Sequence, residues 1–261
     1  MKKLVALLLS LIMVLSLATA VAETVELPRN ETLYFAGQQW GTVNSWNIIG
    51  TNQNNAMAIA GGPSGYRTLM FETLYMYNFM DGSMKGLLAD GDYVWNDTMT
   101  EVTVKIKDAA KWSDGTPVTA NDVKRTFDIG VEIGNGTGTG YKAYIAEIVA
   151  ADEKTVVIKA AVNADNVPVN PLKVVDFLSG APIAQAAWID TVAARNNNDP
   201  VAILNDPGED VVWSGPYTKY YADDQKVVLV RDDNYWGQDE SMWGKLPVPK
   251  YIAHEIGRAH V

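Results

Sequence analysis

The chain has 261 residues, of which 48% are hydrophobic and 20% are charged, a composition that supports a large core and argues against a disordered chain. Its formal net charge of −10 argues against nucleic acid as a partner, because a polyanion repels an acidic protein. The absence of cysteine excludes disulfides, thiolate metal sites and cysteine nucleophiles, and two histidines leave little for histidine acid–base chemistry.

The N-terminal residues 1–22 have the pattern of a secretory signal peptide. Two lysines are followed by the apolar run 4–17 and by a small-residue cleavage site at 20–22, so we expect a mature chain that begins at Glu23. The alternative is an uncleaved anchor helix, which the shortness of the run disfavours, because about 20 residues are needed to cross a bilayer. The pattern predicts export, with a periplasmic or extracellular protein associated with the cell envelope.

Hydrophobic periodicity and turn residues predict alternating strands and helices along the rest of the chain. A capping box at 119–122 indicates the start of a helix. We expect strands at 32–36, 100–107 (the second strand of a hairpin), 154–160 and 226–231, helices at 66–77 and from 119 through 127, and a flexible loop at 134–140. Because the elements are interspersed without a regular βαβ rhythm, the pattern predicts an α/β fold with a mixed sheet.

The C-terminal residues 255–261 (EIGRAHV) resemble a translated sequencing adapter. We therefore expect a non-native tail that contributes no packing, and a natural protein that continues beyond it. The alternative is an ordinary strand end, because residues 251–256 (YIAHEI) continue an alternating pattern.

Motifs for catalysis, nucleotides or metals are weak. The glycine-rich stretch 134–140 lacks the spacing of a nucleotide-binding loop. The acidic stretch that starts at Asp232 has Trp236 and Trp243 where a calcium loop needs oxygen ligands. A catalytic triad would have only His254 to use. We therefore expect no enzyme, no metal and no cofactor, although counting alone leaves a glycosidase carboxylate pair open.

The strongest ligand signal is the polar loop 37–55, which carries two tryptophans among many amides. Indole rings stack on the apolar faces of sugars, and uncharged amides exchange hydrogen bonds with hydroxyls. The alternative is that both tryptophans pack beneath the loop. We expect Trp112 in the core, and we predict a ligand site formed by Trp40, Asn44, Trp46, Asn47 and Trp213.

Four motifs occur in order along the chain: 71–74 (FETL), 111–123 (KWSDGTPVTANDV), 214–217 (SGPY) and 230–237 (VRDDNYWG). Together they resemble the family 5 extracellular solute-binding proteins, which are the dipeptide-, oligopeptide- and oligosaccharide-binding components of ABC importers. The resemblance implies a periplasmic-binding-protein type II-like fold, in which two lobes close on the ligand and a smaller subdomain is inserted in the first.

The resemblance also sets the expected domains, ligand and partner. We expect the first lobe at 23–254, with the inserted subdomain at 56–205, and the second lobe missing. Residues 29–34 and 40–47 resemble the cello- and manno-oligosaccharide-binding branch, so a cello- or β-gluco-oligosaccharide is the expected ligand and a short peptide the alternative. The expected partner is the importer's membrane permease, and the expected state is a monomer. An extracellular glycan-acting enzyme and a sensor are the competing functions.

Overall fold

The computed structural model describes residues 26–37, 43, 45–51, 68–223 and 226–256. The predicted signal peptide lies outside these residues. In chain order, the described strands are β1 (Thr32–Gly37), β2 (Tyr75–Tyr77), β3 (Met84–Gly86), β4 (Ala89–Trp95), β5 (Glu101–Ile106), β6 (Ile145–Ala150), β7 (Thr155–Ala160), β8 (Tyr217–Ala222), β9 (Lys226–Arg231) and β10 (Tyr251–Ile256). The helices are α1 (Ala120–Ile133), α2 (Gly136–Tyr141), α3 (Pro171–Gly180), α4 (Ala186–Arg195) and α5 (Pro200–Asn205), with a 3₁₀ turn at Trp236–Gln238. This mixture confirms the predicted α/β class.

The main sheet joins the first described strand to the last. Its strand order is β1-β10-β9-β8, in which β1 and β10 are parallel and the other neighbours are antiparallel. The predicted strands at 32–36 and 226–231 both belong to this sheet, as expected. In β9 the successive residues Val227, Val228 and Leu229 are all buried, so both faces of this strand are covered.

Strand β10 continues into the predicted tail. The backbone of Glu255 pairs with Ala36 of β1 and Lys226 of β9, and its carboxylate lies 2.8 Å from the Lys226 ammonium. Ile256 pairs with Gly37. The expectation that residues from Glu255 onward contribute no packing is therefore wrong for Glu255, and the backbone of Ile256 continues the strand, because the alternating pattern at 251–256 does form β10. Residues 257–261 lie outside the described part.

A second sheet is built entirely from residues between 89 and 160. Its order is β4-β5-β7-β6, antiparallel throughout. The predicted hairpin and the predicted strand at 154–160 are confirmed as β4–β5 and β7. Val102, Val104 and Ile106 of β5 point into a buried cluster that also holds Phe127 of α1. This sheet falls within the range predicted for the inserted subdomain, whose boundaries stay a prediction.

Helix α1 begins where the sequence predicts and links the two sheets. The capping box at 119–122 is formed, and the helix runs past the predicted end at Phe127 to Ile133. Gly134 ends it with a φ of 70°, the left-handed conformation that glycine adopts without strain. Phe127 packs in the cluster of the second sheet and Ile133 in the cluster of the main sheet, so α1 contributes side chains to both hydrophobic cores.

The helix predicted at 66–77 is wrong. From residue 68 this segment is irregular, with bends at 69–71 and 74, and it ends in β2. It crosses between the cores, with Phe71 in the main-sheet cluster and Leu74 in the second-sheet cluster. Its carbonyls accept from neighbouring loops: Met70 from Ser214 and Gly215, and Leu74 from Leu87. A segment buried on all sides has no single apolar face, and the helical spacing was therefore coincidental.

The loop predicted at 134–140 is largely helix α2. Asn135 caps it, since its side-chain oxygen accepts from the Gly138 N–H at 3.0 Å. Gly138 lies directly on Gly130 of α1, where an added Cβ would come within 1.9 Å of the Gly130 carbonyl oxygen. The glycines thus permit a close helix crossing, a role that composition alone does not reveal.

Candidate functional site

The predicted loop site is only partly described. Trp40 and Asn44 lie outside the described residues. Trp46 exposes 6% of its surface and packs in the main-sheet cluster, with the Lys219 ammonium 5.8 Å from its ring centroid. The expectation that the Trp46 ring is open for stacking is therefore wrong in this structure, because the ring fills the core beneath its loop.

Asn47 is fully buried and its amide serves the backbone. Its nitrogen donates to the Ile203 carbonyl at 2.9 Å, and its oxygen accepts from the Ile49 N–H at 3.0 Å. The predicted reach of Asn47 toward a ligand is thus replaced by a structural role. It fastens the segment 45–51 to α5, the helix that contains Ile203.

An ion cluster fixes the other side of this segment. Arg195 bonds Asp206 with Nε at 2.7 Å and also with Nη2, and its Nη1 lies 2.5 Å from Asp210. The Asp206 carbonyl in turn accepts from the Ser45 hydroxyl at 3.0 Å. The bond from Arg195 lowers the pKa of Asp206 to about 2, so this carboxylate stays charged at neutral pH. Asp206 therefore links Ser45 of the segment 45–51 to Arg195 at the end of α4.

Among the predicted ligand residues that the structure describes, Trp213 has a partly exposed side chain. Its carbonyl accepts from the Ser113 N–H at 2.8 Å, and its own N–H lies 3.3 Å from the Ser113 hydroxyl. The indole nitrogen donates to Asp232 at 3.1 Å. Asp232 also accepts from the Asn234 N–H at 2.9 Å, and this bond lies in a turn at 233–234. The ring is therefore half-buried and held in one orientation.

Three of the four motifs meet at a buried carboxyl group, Glu72. Tyr235 donates to one of its oxygens at 2.5 Å and Trp236 to the other at 2.9 Å, while the Glu72 N–H donates to the Ser214 hydroxyl. Burial raises the pKa of Glu72 to about 8, so the group is largely neutral at pH 7. The sequence motifs contain these residues, but their contact was not predicted, because they lie up to 164 positions apart in the chain.

The remaining motif, 111–123, is held by its own carboxylates. Asp122 accepts from the Trp112 indole at 3.3 Å and from the Ala186 N–H at 2.7 Å, in addition to its capping bonds. Asp114 accepts from the Gln185 amide at 2.8 Å. Trp112 is buried, as predicted. The motif therefore docks the start of α4 against the start of α1.

The carboxyl groups described above accept hydrogen bonds from donors within the protein, and these bonds hold the local structure. Within the described ranges, no group of three or more metal-ligating side chains is placed to hold an ion. In the same residues no helix is both long and apolar enough to cross a membrane.

Comparison with known proteins gives a consistent family. Residues 83–252 match the family described as bacterial extracellular solute-binding proteins, family 5, middle region. The probable D,D-dipeptide-binding periplasmic protein DdpA of Escherichia coli is 30% identical over 180 residues, which cover 67% of this chain and 31% of that protein. Peptidoglycan-binding protein YepA of Agrobacterium fabrum is 28% identical over 176 residues, covering 67% and 26%.

Solved structures agree in fold. The periplasmic oligopeptide-binding protein of Thermotoga maritima, crystallised with mannohexaose, superposes with a TM-score of 0.69 at 24% identity, covering 89% of this chain and 39% of that one. AppA of Bacillus subtilis, solved with a nonapeptide, gives 0.61 at 17% identity, covering 87% and 40%. These likenesses establish the periplasmic-binding-protein type II-like fold.

The match spans between about a quarter and a third of the length of these curated relatives. The family match nevertheless covers well over half of the chain and includes the second sheet, the motif at 111–123 and the main-sheet strands β8 and β9. The chain therefore belongs to the family 5 bacterial extracellular solute-binding proteins.

Proposed function

We propose that the protein is the extracytoplasmic solute-binding component of an ABC importer, which captures a small oligomeric solute and delivers it to a membrane permease. The observation that carries this proposal is the family match across residues 83–252, together with relatives that are named as binding proteins. In this proposal the ligand is enclosed between this lobe and a second lobe, and it is bound without being converted.

The proposed ligand is an oligosaccharide of the cello or β-gluco type. Its support is the composition of the loop 37–55, where uncharged amides and tryptophans suit hydroxyls and sugar faces better than charged peptide termini. Trp213 adds a half-exposed ring that is already held in one orientation, which reduces the entropy lost when a ligand binds. Trp46 and Asn47 would support this site from below by fixing the segment 45–51.

A short peptide is the second candidate, and a separate observation favours it. DdpA is named as dipeptide-binding, and putative peptide-binding proteins of several Brucella species are 39% identical over 109 residues. The solved structures of similar fold include one bound to mannohexaose and one bound to a nonapeptide, so fold likeness does not choose between the two ligand classes.

A thermal-shift panel tests the ligand class. The purified protein is heated with cello-oligosaccharides, mannohexaose, dipeptides and a nonapeptide in separate wells. A true ligand at about 100 times its Kd adds roughly 2.7 kcal/mol to the free energy of unfolding, a shift of several degrees. We expect this shift with the cello-oligosaccharides. A shift with peptides alone would overturn the sugar assignment. Chromatography of the sugars recovered from the wells checks for conversion, and shorter sugar products would overturn the binding-protein assignment.

Trp213→Ala tests the proposed contact, with Trp243→Ala as a matched control outside the predicted site. Loss of the Trp213 ring should lower sugar affinity about tenfold, since an aromatic contact contributes roughly 0.5–1.5 kcal/mol beyond its buried area. The control variant should bind as the parent does. Equal affinity of both variants and the parent would remove Trp213 from the site.

A further inference from the structure

Asp232, which follows β9, is fixed through both its backbone and its side chain. Its N–H donates to the Pro216 carbonyl at 2.9 Å, and its own carbonyl accepts from the Tyr235 N–H at 3.1 Å. One carboxylate oxygen accepts from the Asn234 N–H at 2.9 Å, and the other accepts from the Trp213 indole at 3.1 Å. Because both oxygens are in use on a fixed backbone, the acceptor that faces Trp213 has a defined position.

The backbone of Trp213 is held by a different segment, the turn that precedes α1. The Ser113 N–H donates to the Trp213 carbonyl at 2.8 Å, and the Ser113 hydroxyl accepts from the Trp213 N–H at 3.3 Å. The side chain packs against the main-sheet cluster and stays half-buried. The bonds to Ser113 fix the start of this side chain and the bond to Asp232 fixes its far edge, so together they define the plane of the ring.

The bond to Asp232 also decides what the Trp213 ring can offer to a ligand. An indole has a single polar group, the N–H donor, and here this donor is engaged within the protein. The exposed part of the ring therefore presents an apolar aromatic surface. Contacts with such a surface depend on its orientation, because aromatic faces and edges interact differently. The value of Trp213 as a contact thus depends on the orientation that Asp232 maintains.

We propose that Asp232 is a positioning residue of the solute site, which acts through Trp213 by holding its ring ready for an apolar face of the solute. This inference rests on the proposed function, in which Trp213 contacts the solute. A carboxylate is required rather than an amide of the same shape. It accepts from two N–H donors at once, whereas asparagine has one oxygen acceptor and would turn its NH₂ group toward the other donor. Asp232→Asn must therefore break the bond to Trp213 or the bond to Asn234.

A double-mutant cycle measured by calorimetry with cellotetraose tests this role. The variants are Asp232→Asn, Trp213→Phe and the two combined, because phenylalanine keeps an aromatic ring but has no N–H to hold. Asp233→Asn is the matched control, since it makes the same change of charge at the next residue, whose carboxylate pairs with Arg231. We expect Asp232→Asn alone to weaken binding about three- to tenfold, within the roughly tenfold loss expected for removing the ring. In the Trp213→Phe background it should have no further effect, and the control should bind as the parent does.

Fluorine-19 NMR of the protein labelled with 5-fluorotryptophan observes the ring without a ligand. The chain has eight tryptophans, and the line of Trp213 is the one that Trp213→Phe removes. This line should shift and broaden in Asp232→Asn and stay in place in Asp233→Asn, with normal melting temperatures for both variants. An unchanged line in Asp232→Asn would overturn the proposal, as would equal weakening of cellotetraose binding by Asp232→Asn with either residue at position 213. Failure of the parent to bind any sugar or peptide of the thermal-shift panel would instead overturn the proposed function, and the NMR line would still decide whether Asp232 orients the ring.

Discussion

Replacement of Glu72 by glutamine is expected to remove a pH dependence from the stability of the protein. The pKa of Glu72 is about 8 in the folded protein and near 4.5 in a solvated chain. Between these values the folded state holds a proton that the unfolded state has lost. The free energy of unfolding therefore decreases as the pH rises from about 4.5 to about 8, and this contribution stops changing above that range.

The magnitude follows from the proton linkage. One proton difference changes the free energy of unfolding by about 1.4 kcal/mol per pH unit, or roughly 3 kcal/mol between pH 5 and pH 7. Glutamine reproduces the neutral acid, because its oxygen can accept from the Trp236 indole while its amide donates to the Tyr235 hydroxyl oxygen. Glu72→Gln should therefore match the parent near pH 5 and exceed it at pH 7 to 8.

Urea unfolding at pH 5, 6, 7 and 8 measures the difference, with Glu147→Gln as the control. Glu147 is exposed and its pKa is lowered by the hydrogen bond from Lys159, so its replacement should give no gain that grows above pH 5. The two proteins share all other titratable groups, so the difference between their pH profiles reports on Glu72 and the groups that its charge affects. Parallel pH profiles for the parent and Glu72→Gln would refute the conclusion that Glu72 is neutral in the folded protein.

Two further predictions concern packing and ion pairing. Gly138→Ala should lower the free energy of unfolding by about 2 kcal/mol or more, because the added Cβ would clash with the Gly130 carbonyl. Gly140→Ala is the control, because its Cβ meets nothing within 4 Å, and it should be neutral or slightly stabilising. Thermal unfolding measures both variants. Equal effects would contradict the close helix crossing. Arg195→Ala should cost about 1–3 kcal/mol in urea unfolding at pH 7 and less as the pH falls below 4, because the pKa of Asp206 is lowered to about 2 and the pair is lost on protonation. An unchanged urea midpoint at pH 7 would contradict the role of the ion cluster.

Local sequence signals predicted the elements that depend on local physics. Alternation in β5, the continuous β-branched and apolar run in β9 and the capping box of α1 each have causes within a few residues, and all three elements formed as expected. The segment 68–77 failed because its burial depends on two cores that exist only after folding. Helix α2 failed because its glycines are selected by contact with Gly130, not by helix propensity.

The site was less predictable than the fold for a related reason. The composition of the loop around Trp46 predicted a ligand site, yet a tryptophan that fills a core and one that stacks on a ligand have the same sequence signal. The Glu72 network was invisible, because its members come from three distant segments. Trp213 could be proposed from the sequence, but its orientation by Asp232 could not.

The central claim is that this protein binds a solute and leaves it unchanged, and isothermal titration calorimetry followed by chromatography of the recovered ligand tests it most directly. We expect saturable binding of one cello-oligosaccharide per protein, with the full-length sugar recovered. Recovery of shorter sugars would contradict the claim, as would the absence of binding by every oligosaccharide and peptide in the panel.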